Sequence, residues 1–431
     1  MNQIKINNEN NLSGAIEVPG SKSVIHRAIL ASALTKGKSI IRNVHLSDDL
    51  NATLNAITIL GAKYKYFDNT LEINGFDSFH LEEDVVIDCG ESGSTLRFLI
   101  PLATLFDKKV TFIGTESLFL RPLYVYETLF VDNNCLFIRD KTSLTIRGDL
   151  NNFKKKIDGT VSSQFITGLL FYLPLRKEDT TLKIKKLQSK PYVRLTIRVL
   201  EEAGIKIKHN DDLSKITVFG NQEYQTNEYK SFGDYSQAAN FFTLKAITNT
   251  NFDILGLNEK SAQGDKIIKD IIDNYLYFIE NGSLLSDNAQ NLGISIKRKE
   301  KRIVIDISET PDLGPILMVL LTLNGGYLKN FRRLIYKESN RVLSMTEELR
   351  KFGVVLKEMG NYLYIPKYNG EILRGVLDSH NDHRVLMATT IMGLAYNQEM
   401  IITNYEAVNK SYPEFFNDLI KIGVKLTKDE K

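Results

Sequence analysis

Four stretches of this chain place polar and basic side chains at the start of an apolar run. Pro19-Gly-Ser-Lys-Ser-Val-Ile-His-Arg27 leads into Ala28-Ile-Leu-Ala-Ser-Ala-Leu, and Glu91-Ser-Gly-Ser-Thr-Leu-Arg97 opens a second such segment. Ser162-Ser-Gln164 precedes Phe-Ile-Thr-Gly-Leu-Leu, and Asn381-Asp-His-Arg384 precedes Val-Leu-Met-Ala. Each reads as a helix start; in the first, Ser21 or Ser23 can cap, and Ser23 and Arg27 share a face. A helix N-terminus presents unpaired N–H groups and a partial positive charge, which suits phosphate and carboxylate ligands. Repeated use of that device predicts a multiply anionic substrate. For any single Ser or Asp ordinary capping is the better explanation, whereas clusters with Lys or Arg on the same turn are harder to dismiss.

Two acidic positions stand beside basic ones. Glu309-Thr-Pro-Asp312 precedes the apolar Leu313-Gly-Pro-Ile-Leu-Met-Val, and Lys337-Glu338-Ser-Asn-Arg341 opens another helix. A carboxylate buried near cations can be held ionised as a base or kept as a proton donor. Equally, Asp312 reads as an N-cap and Glu338 as a surface charge. Ser32 to Ser39 imitates a phosphate-binding loop but begins with Ser and follows a helix, so it is rejected. No Gly-x-Gly-x-x-Gly follows a strand, and the histidines and the two cysteines, Cys89 and Cys135, lack metal spacing. No metal, cofactor or disulfide is expected, and a reducing cytoplasm fits.

The elements that position these residues emerge from length and repetition. The chain has 431 residues, of which 43% are hydrophobic and 25% charged, with a net charge of +3. That balance argues against both a nucleic-acid binder and a disordered chain, and the length suggests two or three compact units. The first eleven residues lack the apolar stretch of a secretory signal, so no export is expected. The most apolar runs, Phe98 to Phe106 and Pro315 to Leu323, are too short to cross a bilayer. Six times a helix-like segment stops at Gly or Asn and an alternating strand follows: at Gly61, Asn134, Gly204, Asn274, Gly353 and Gly423. The spacings are 73, 70, 70, 79 and 70. Gly and Asn tolerate the left-handed conformation that ends a helix. The strands then turn back, as at Tyr66-Phe-Asp-Asn-Thr70 and Ile138-Arg-Asp-Lys-Thr142, so each unit reads as mixed α/β closed by a hairpin. The pattern favours two domains of three units each.

On these residues the chain resembles the 5-enolpyruvylshikimate-3-phosphate synthases, a family of enolpyruvyl transferases. The markers span nearly the whole length: Pro19 to Ser23 with Arg27, Ser47-Asp-Asp, Gly93 to Arg97, Arg121-Pro122, Ser162 to Gln164, Ser189-Lys-Pro-Tyr192, Ser261-Ala-Gln-Gly-Asp265, Pro311-Asp312, Lys337 to Arg341, Asp382-His-Arg384 and Lys410. The resemblance implies a two-domain α/β fold, each domain three repeated folding units with helices inside a shell of sheet, inverted α/β barrel-like. It places residues 1–19 with 234–431 in one discontinuous domain and 20–233 in the other, with the active site in the cleft between them. It further implies transfer of the enolpyruvyl group of phosphoenolpyruvate to the 5-hydroxyl of shikimate 3-phosphate, with phosphate released and neither metal nor organic cofactor required. Lys22, Ser23, Arg27, Ser162, Ser163, Gln164, Ser189, Tyr192, Asp312 and Lys337 should then hold shikimate 3-phosphate. Lys22, Gly93, Gln164, Arg121, Arg341, Arg384 and Lys410 should form the phosphoenolpyruvate site, where planar guanidinium groups suit bidentate contacts. Asp312 is the candidate base for the hydroxyl and Glu338 the candidate proton shuttle, with Lys22 and His383 sharing in proton transfer or charge stabilisation.

The chain departs from the family pattern in three places. Thr-Glu-Ser-Leu-Phe-Leu stands before Arg121 where many members carry a basic residue, Asn340 stands where Asp is common, and Glu91-Ser-Gly-Ser replaces Asn-Ala-Gly-Thr. Gly93 is retained and leaves room beside phosphoenolpyruvate, which implies glyphosate sensitivity. The sister transferase acting on UDP-N-acetylglucosamine carries a reactive Cys on the loop corresponding to Gly114 through Arg121, and none is present here. Cys89, before a helix, and Cys135, in a strand, read as structural. An RNA-end-processing or non-catalytic relative is disfavoured by the near-neutral charge and by retention of Asp312, Glu338, Lys22 and Lys410. A monomer is expected, with no nucleic-acid or membrane partner and no room for a fused second enzyme.

Overall fold

The computed structural model describes residues 2–7, 11–297 and 299–429. The chain divides into two compact units, one formed by Met1–Pro19 with Gly233–Lys431 and the other by Gly20–Phe232. Each buries its own apolar core. Gly233 is held in the first unit by its N–H bond to the Gly256 carbonyl at 2.8 Å and by Gln263 Nε2 donating to the Gly233 carbonyl at 3.0 Å.

In the contiguous unit three four-stranded sheets share one plan. A parallel pair is followed by an antiparallel strand and then by its hairpin partner: Val85–Asp88, Val110–Ile113, Ser143–Arg147 and Leu136–Arg139 make the first. Ile157–Asp158, Thr180–Lys185, Lys215–Val218 and Ile207–His209 make the second. Glu228–Lys230, Lys38–Arg42, Thr70–Asn74 and Lys63–Phe67 make the third, so the last strand of this unit returns to its first sheet. Helices Gly93–Ala103 and Ser163–Tyr172 are buried on nearly every side, as expected of helices enclosed by sheet.

The discontinuous unit repeats the plan with variations. Leu377–Asp378, Met400–Thr403, Gln3–Ile6 and Leu426–Asp429 form one sheet, whose antiparallel strand comes from the beginning of the chain. Arg302–Asp306, Gly326–Lys329, Tyr362–Ile365 and Lys357–Met359 form another, extended at its edge by Ile294–Lys297. Ala15–Glu17 and Asp253–Leu255 pair alone in parallel. His383–Ala395 is buried at every position. Among the described residues no helix is long and apolar enough to cross a membrane.

The expected helix stops stand at Gly61, Asn134, Gly204, Gly353 and Gly423, each with a positive φ and each preceding a strand. Asn274 does not. It lies inside the helix Ile268–Asn281, which ends instead at Gly282 with φ +69°. The buried Ile268, Ile271, Ile272 and Tyr275 recur at helical spacing, and Tyr-Leu-Tyr-Phe only imitates strand alternation. The antiparallel pair that follows this helix, Ile294–Lys297 with Arg302–Asp306, joins the five-stranded sheet, and among the described residues the Asp253–Leu255 sheet has two strands. Cys135 lies one residue before its expected strand, and Cys89 is fully buried, its thiol pushed well up by burial and the neighbouring Asp88.

Candidate functional site

In the contiguous unit, five helices are tied to one another through their first two turns. Arg97 donates to Gln164 Oε1 at 2.7 Å, Gln164 Nε2 donates to Ser94 Oγ at 3.0 Å, and Thr53 meets both His26 Nδ1 at 2.9 Å and Thr95 Oγ1 at 2.7 Å. Arg27 Nε donates to Thr196 Oγ1 at 2.8 Å and Nη2 to the Tyr192 carbonyl at 3.2 Å. These ties join helices Lys22–Ala33, Asp48–Ile59, Gly93–Ala103, Ser163–Tyr172 and Lys190–Glu202 near their N-termini. Their starts, carrying Lys22, Ser23, Gly93, Ser162, Ser163, Gln164, Ser189 and Tyr192, therefore gather at one end of the unit. Ser92 and Ser162 cap as expected, accepting from Thr95 N and Gln164 N. Ser21 occupies the N-cap position of its helix without a side-chain cap bond, and Ser23 lies inside the first turn.

Lys22 Nζ reaches Asp49 Oδ2 at 2.7 Å. Arg27 is buried among these starts: it is 2% exposed, its Nη1 donates to the Ser23 carbonyl at 2.7 Å, its guanidinium lies over the Phe98 ring, and burial pushes its pKa down to about 10. Arg121 is 6% exposed, and among the described residues its Nε and Nη2 have no hydrogen-bond partner. A Cβ added to Gly93 would stand 2.9 Å from Arg121 Nη1 and 3.7 Å from Gln164 Oε1. A buried cation with unmet donors, beside a residue lacking a side chain, is a place built for an anion.

The discontinuous unit assembles a denser network. Asp312, on the 3-10 turn Pro311–Leu313, accepts from Lys337 Nζ at 3.0 Å and Arg341 Nη1 at 3.1 Å, and Arg384 Nη2 stands 3.8 Å away. Burial acts to raise the Asp312 pKa, but Lys337, Arg384 and Arg341 together hold it well below the usual carboxylate range. The reading of Asp312 as an N-cap fails, since the following helix starts at Gly314 with Leu313 in the cap position. Glu338 is no loose surface charge either: its Oε2 accepts from Arg341 Nη2 at 2.6 Å. Arg341 also holds Asp382 through Nε at 2.8 Å. Asp382 caps His383–Ala395, accepting from Arg384 N at 2.9 Å, which fixes His383 and Arg384 at the helix start. Lys410 closes the 3-10 turn Tyr405–Lys410 and donates through Nζ to the Asn381 carbonyl. Burial pushes the Lys337 pKa down, against the opposing charge of Asp312.

Asp265 belongs to this network although the sequence marked it only as part of a motif. It is 2% exposed, takes a hydrogen bond from Ser236 Oγ, and is pushed up to about 6 by burial and Asp312, with Arg384 opposing. Asp382, Asp49 and Arg97 likewise gain partners that no spacing announces. The polar runs in which all four stand were the only signal.

Comparison with known proteins gives a consistent family. A family model described as EPSP synthase (3-phosphoshikimate 1-carboxyvinyltransferase) matches residues 6–419. A 3-phosphoshikimate 1-carboxyvinyltransferase of Clostridium novyi is 40% identical over 429 residues, covering 96% of this chain and 95% of the relative. One of Clostridioides difficile is 36% identical over 433 residues, covering 96% of each. An EPSP synthase structure from Acinetobacter baumannii superposes with a TM-score of 0.73 at 20% identity over all of both chains, a likeness of fold.

Proposed function

The chain belongs to the EPSP synthase family, and from that membership and its two polar networks we infer that it transfers the enolpyruvyl group of phosphoenolpyruvate to the 5-hydroxyl of shikimate 3-phosphate, releasing phosphate. The observation that carries the anionic half of this reading is Arg121, whose buried donors lack an acceptor beside Gly93. Such donors are costly to bury unless an anionic ligand meets them.

Ser23, Arg27, Ser162, Ser163, Gln164, Ser189, Tyr192 and Lys337 hold shikimate 3-phosphate. Lys22, Arg121, Arg341, Arg384 and Lys410 hold phosphoenolpyruvate, with Gln164 beside it and Gly93 giving it room. Protonation of the enol methylene makes the adjacent carbon electrophilic; the 5-hydroxyl attacks it and gives up its proton. The methyl group then loses a proton as phosphate departs. Asp312, held ionised by its cations, accepts a hydrogen bond from the 5-hydroxyl and orients it, taking its proton as substrate charge draws those cations away. Glu338 serves the methylene carbon, while Lys22 and His383 balance charge and assist proton transfer.

Both networks must serve one substrate pair, so shikimate 3-phosphate is proposed to draw the two units together around phosphoenolpyruvate. Small-angle scattering with and without that ligand reads this directly. The working form is proposed to be a cytoplasmic monomer, since both sets of residues lie on one chain. The deciding experiment is phosphate release from phosphoenolpyruvate with shikimate 3-phosphate or with UDP-N-acetylglucosamine. Release with shikimate 3-phosphate alone supports the reading; release with the nucleotide sugar alone, or with neither, refutes it.

A further inference from the structure

The turn that carries Asn381 and Asp382 has an unusual backbone. His380 and Asn381 are consecutive residues in the left-handed region, with φ +51° and +54°. For His this conformation is strained, and neighbouring contacts must hold it. The contacts come from the helix Arg341–Lys351. Its Glu348 is 1% exposed and accepts from His380 Nε2 at 2.8 Å on one oxygen and from the Asp378 N–H at 3.0 Å on the other. Lys351 Nζ donates to both oxygens, at 2.9 and 2.8 Å, and to the Val376 carbonyl at 2.7 Å. The turn is also pinned along its own backbone: His380 N donates to Asp378 Oδ1 at 2.7 Å, and Asp382 N to the Ser379 carbonyl at 2.9 Å.

The left-handed pair brings the Asn381 carbonyl to Lys410 Nζ and leaves Asp382 in place to cap the next helix. We infer that His380, clamped by Glu348, is a positioning residue that sets where the Lys410 ammonium stands and thereby tunes affinity for phosphoenolpyruvate. The inference rests on the role proposed above for Lys410. Neither His380 nor Glu348 has a part in the proposed chemistry, and the side chain of His380 faces carboxylates. Its hydrogen bond to Glu348 raises its pKa against the effect of burial, with the charges of Glu348, Asp378 and Glu347 adding.

The test compares steady-state kinetics of the full chain with His380→Asn, His380→Gln and Lys410→Ala. Asn tolerates the left-handed backbone but cannot reach Glu348, whereas the Gln amide can still donate to it. In His380→Asn, KM for phosphoenolpyruvate should rise roughly three- to tenfold while KM for shikimate 3-phosphate and the melting temperature hold. His380→Gln should recover most of that loss, and combining His380→Asn with Lys410→Ala should add nothing to Lys410→Ala alone. Equal rises in both KM values, no rise, or additive effects would overturn the positioning role. If the parent chain turns over but Lys410→Ala leaves its phosphoenolpyruvate KM unaltered, the role of Lys410 falls and this inference with it. If the parent releases no phosphate from the substrate pair, the functional reading itself falls first.

Discussion

Arg341 and Asp382 face each other through two bonds, Nε to Oδ2 at 2.8 Å and Nη2 to Oδ1 at 3.3 Å, and neither side chain is more than 1% exposed. Breaking such a pair leaves a buried charge without its main counter-ion. Asp382→Asn is expected to cost about 3 kcal/mol of stability, because Asp312 and Glu338 still offset part of the Arg341 charge. Urea unfolding of the two proteins measures the difference, and a loss near zero would show that the pair contributes little.

Replacing Gly93 by Ala should leave the fold intact, since the crowded atom is the tip of a side chain. The displaced Arg121 should raise the KM for phosphoenolpyruvate roughly three- to tenfold. The parent is expected to be sensitive to glyphosate, and the alanine variant less so. Full parent activity at inhibitor concentrations far above that of phosphoenolpyruvate would contradict the proposed room beside Gly93.

Asp312→Ala should reduce turnover by about 10²- to 10⁴-fold, the usual contribution of a positioned proton acceptor. Because the Asp312 carboxyl is held well below its ordinary range, it stays ionised as the pH falls through the weakly acidic region. An acid-side loss of activity there should therefore arise from another group, and its midpoint should be the same in Asp312→Asn as in the parent. A midpoint that moves with the substitution would assign the limb to Asp312 after all.

His26 provides a test in the other direction. Burial lowers its pKa to about 3, with Lys22 and Arg27 adding and Asp49 opposing. The unfolded chain takes up a proton near its ordinary value of about 6.5, whereas the folded chain refuses it, so stability falls as the pH drops below 6.5. At about 1.4 kcal/mol per pH unit, the decline between pH 6.5 and 5 includes about 2 kcal/mol from this residue. His26→Gln should remove that part of the slope, whatever its effect on absolute stability. Parallel slopes in the two proteins would show that His26 accepts a proton in the folded state.

The helix ends were legible where one residue type meets a strict backbone need, as at Gly61 or Asn134. Asn274 misled because an apolar run containing tyrosines satisfies strand alternation and helical spacing at once over so short a window, and only the longer series from Ile268 to Phe278 separates them. The helix starts were legible as anionic sites because Ser, Lys and Arg cluster there within one turn. What the sequence does not carry is pairing at a distance. Asp382 lies 41 residues from Arg341, and Asp265 meets Ser236 across 29, so only the folded backbone reveals which carboxylate answers which cation.

The strand Gln3–Ile6 sits between Met400–Thr403 and Leu426–Asp429, both made long after it. During synthesis the segment 20–232 has all three of its sheets available as soon as Glu228–Lys230 leaves the ribosome. The discontinuous unit must wait, since Gln3–Ile6 lacks its neighbouring strands until Met400–Thr403 and Leu426–Asp429 have emerged. Folding is thereby ordered in time, with the contiguous unit able to finish before the discontinuous one.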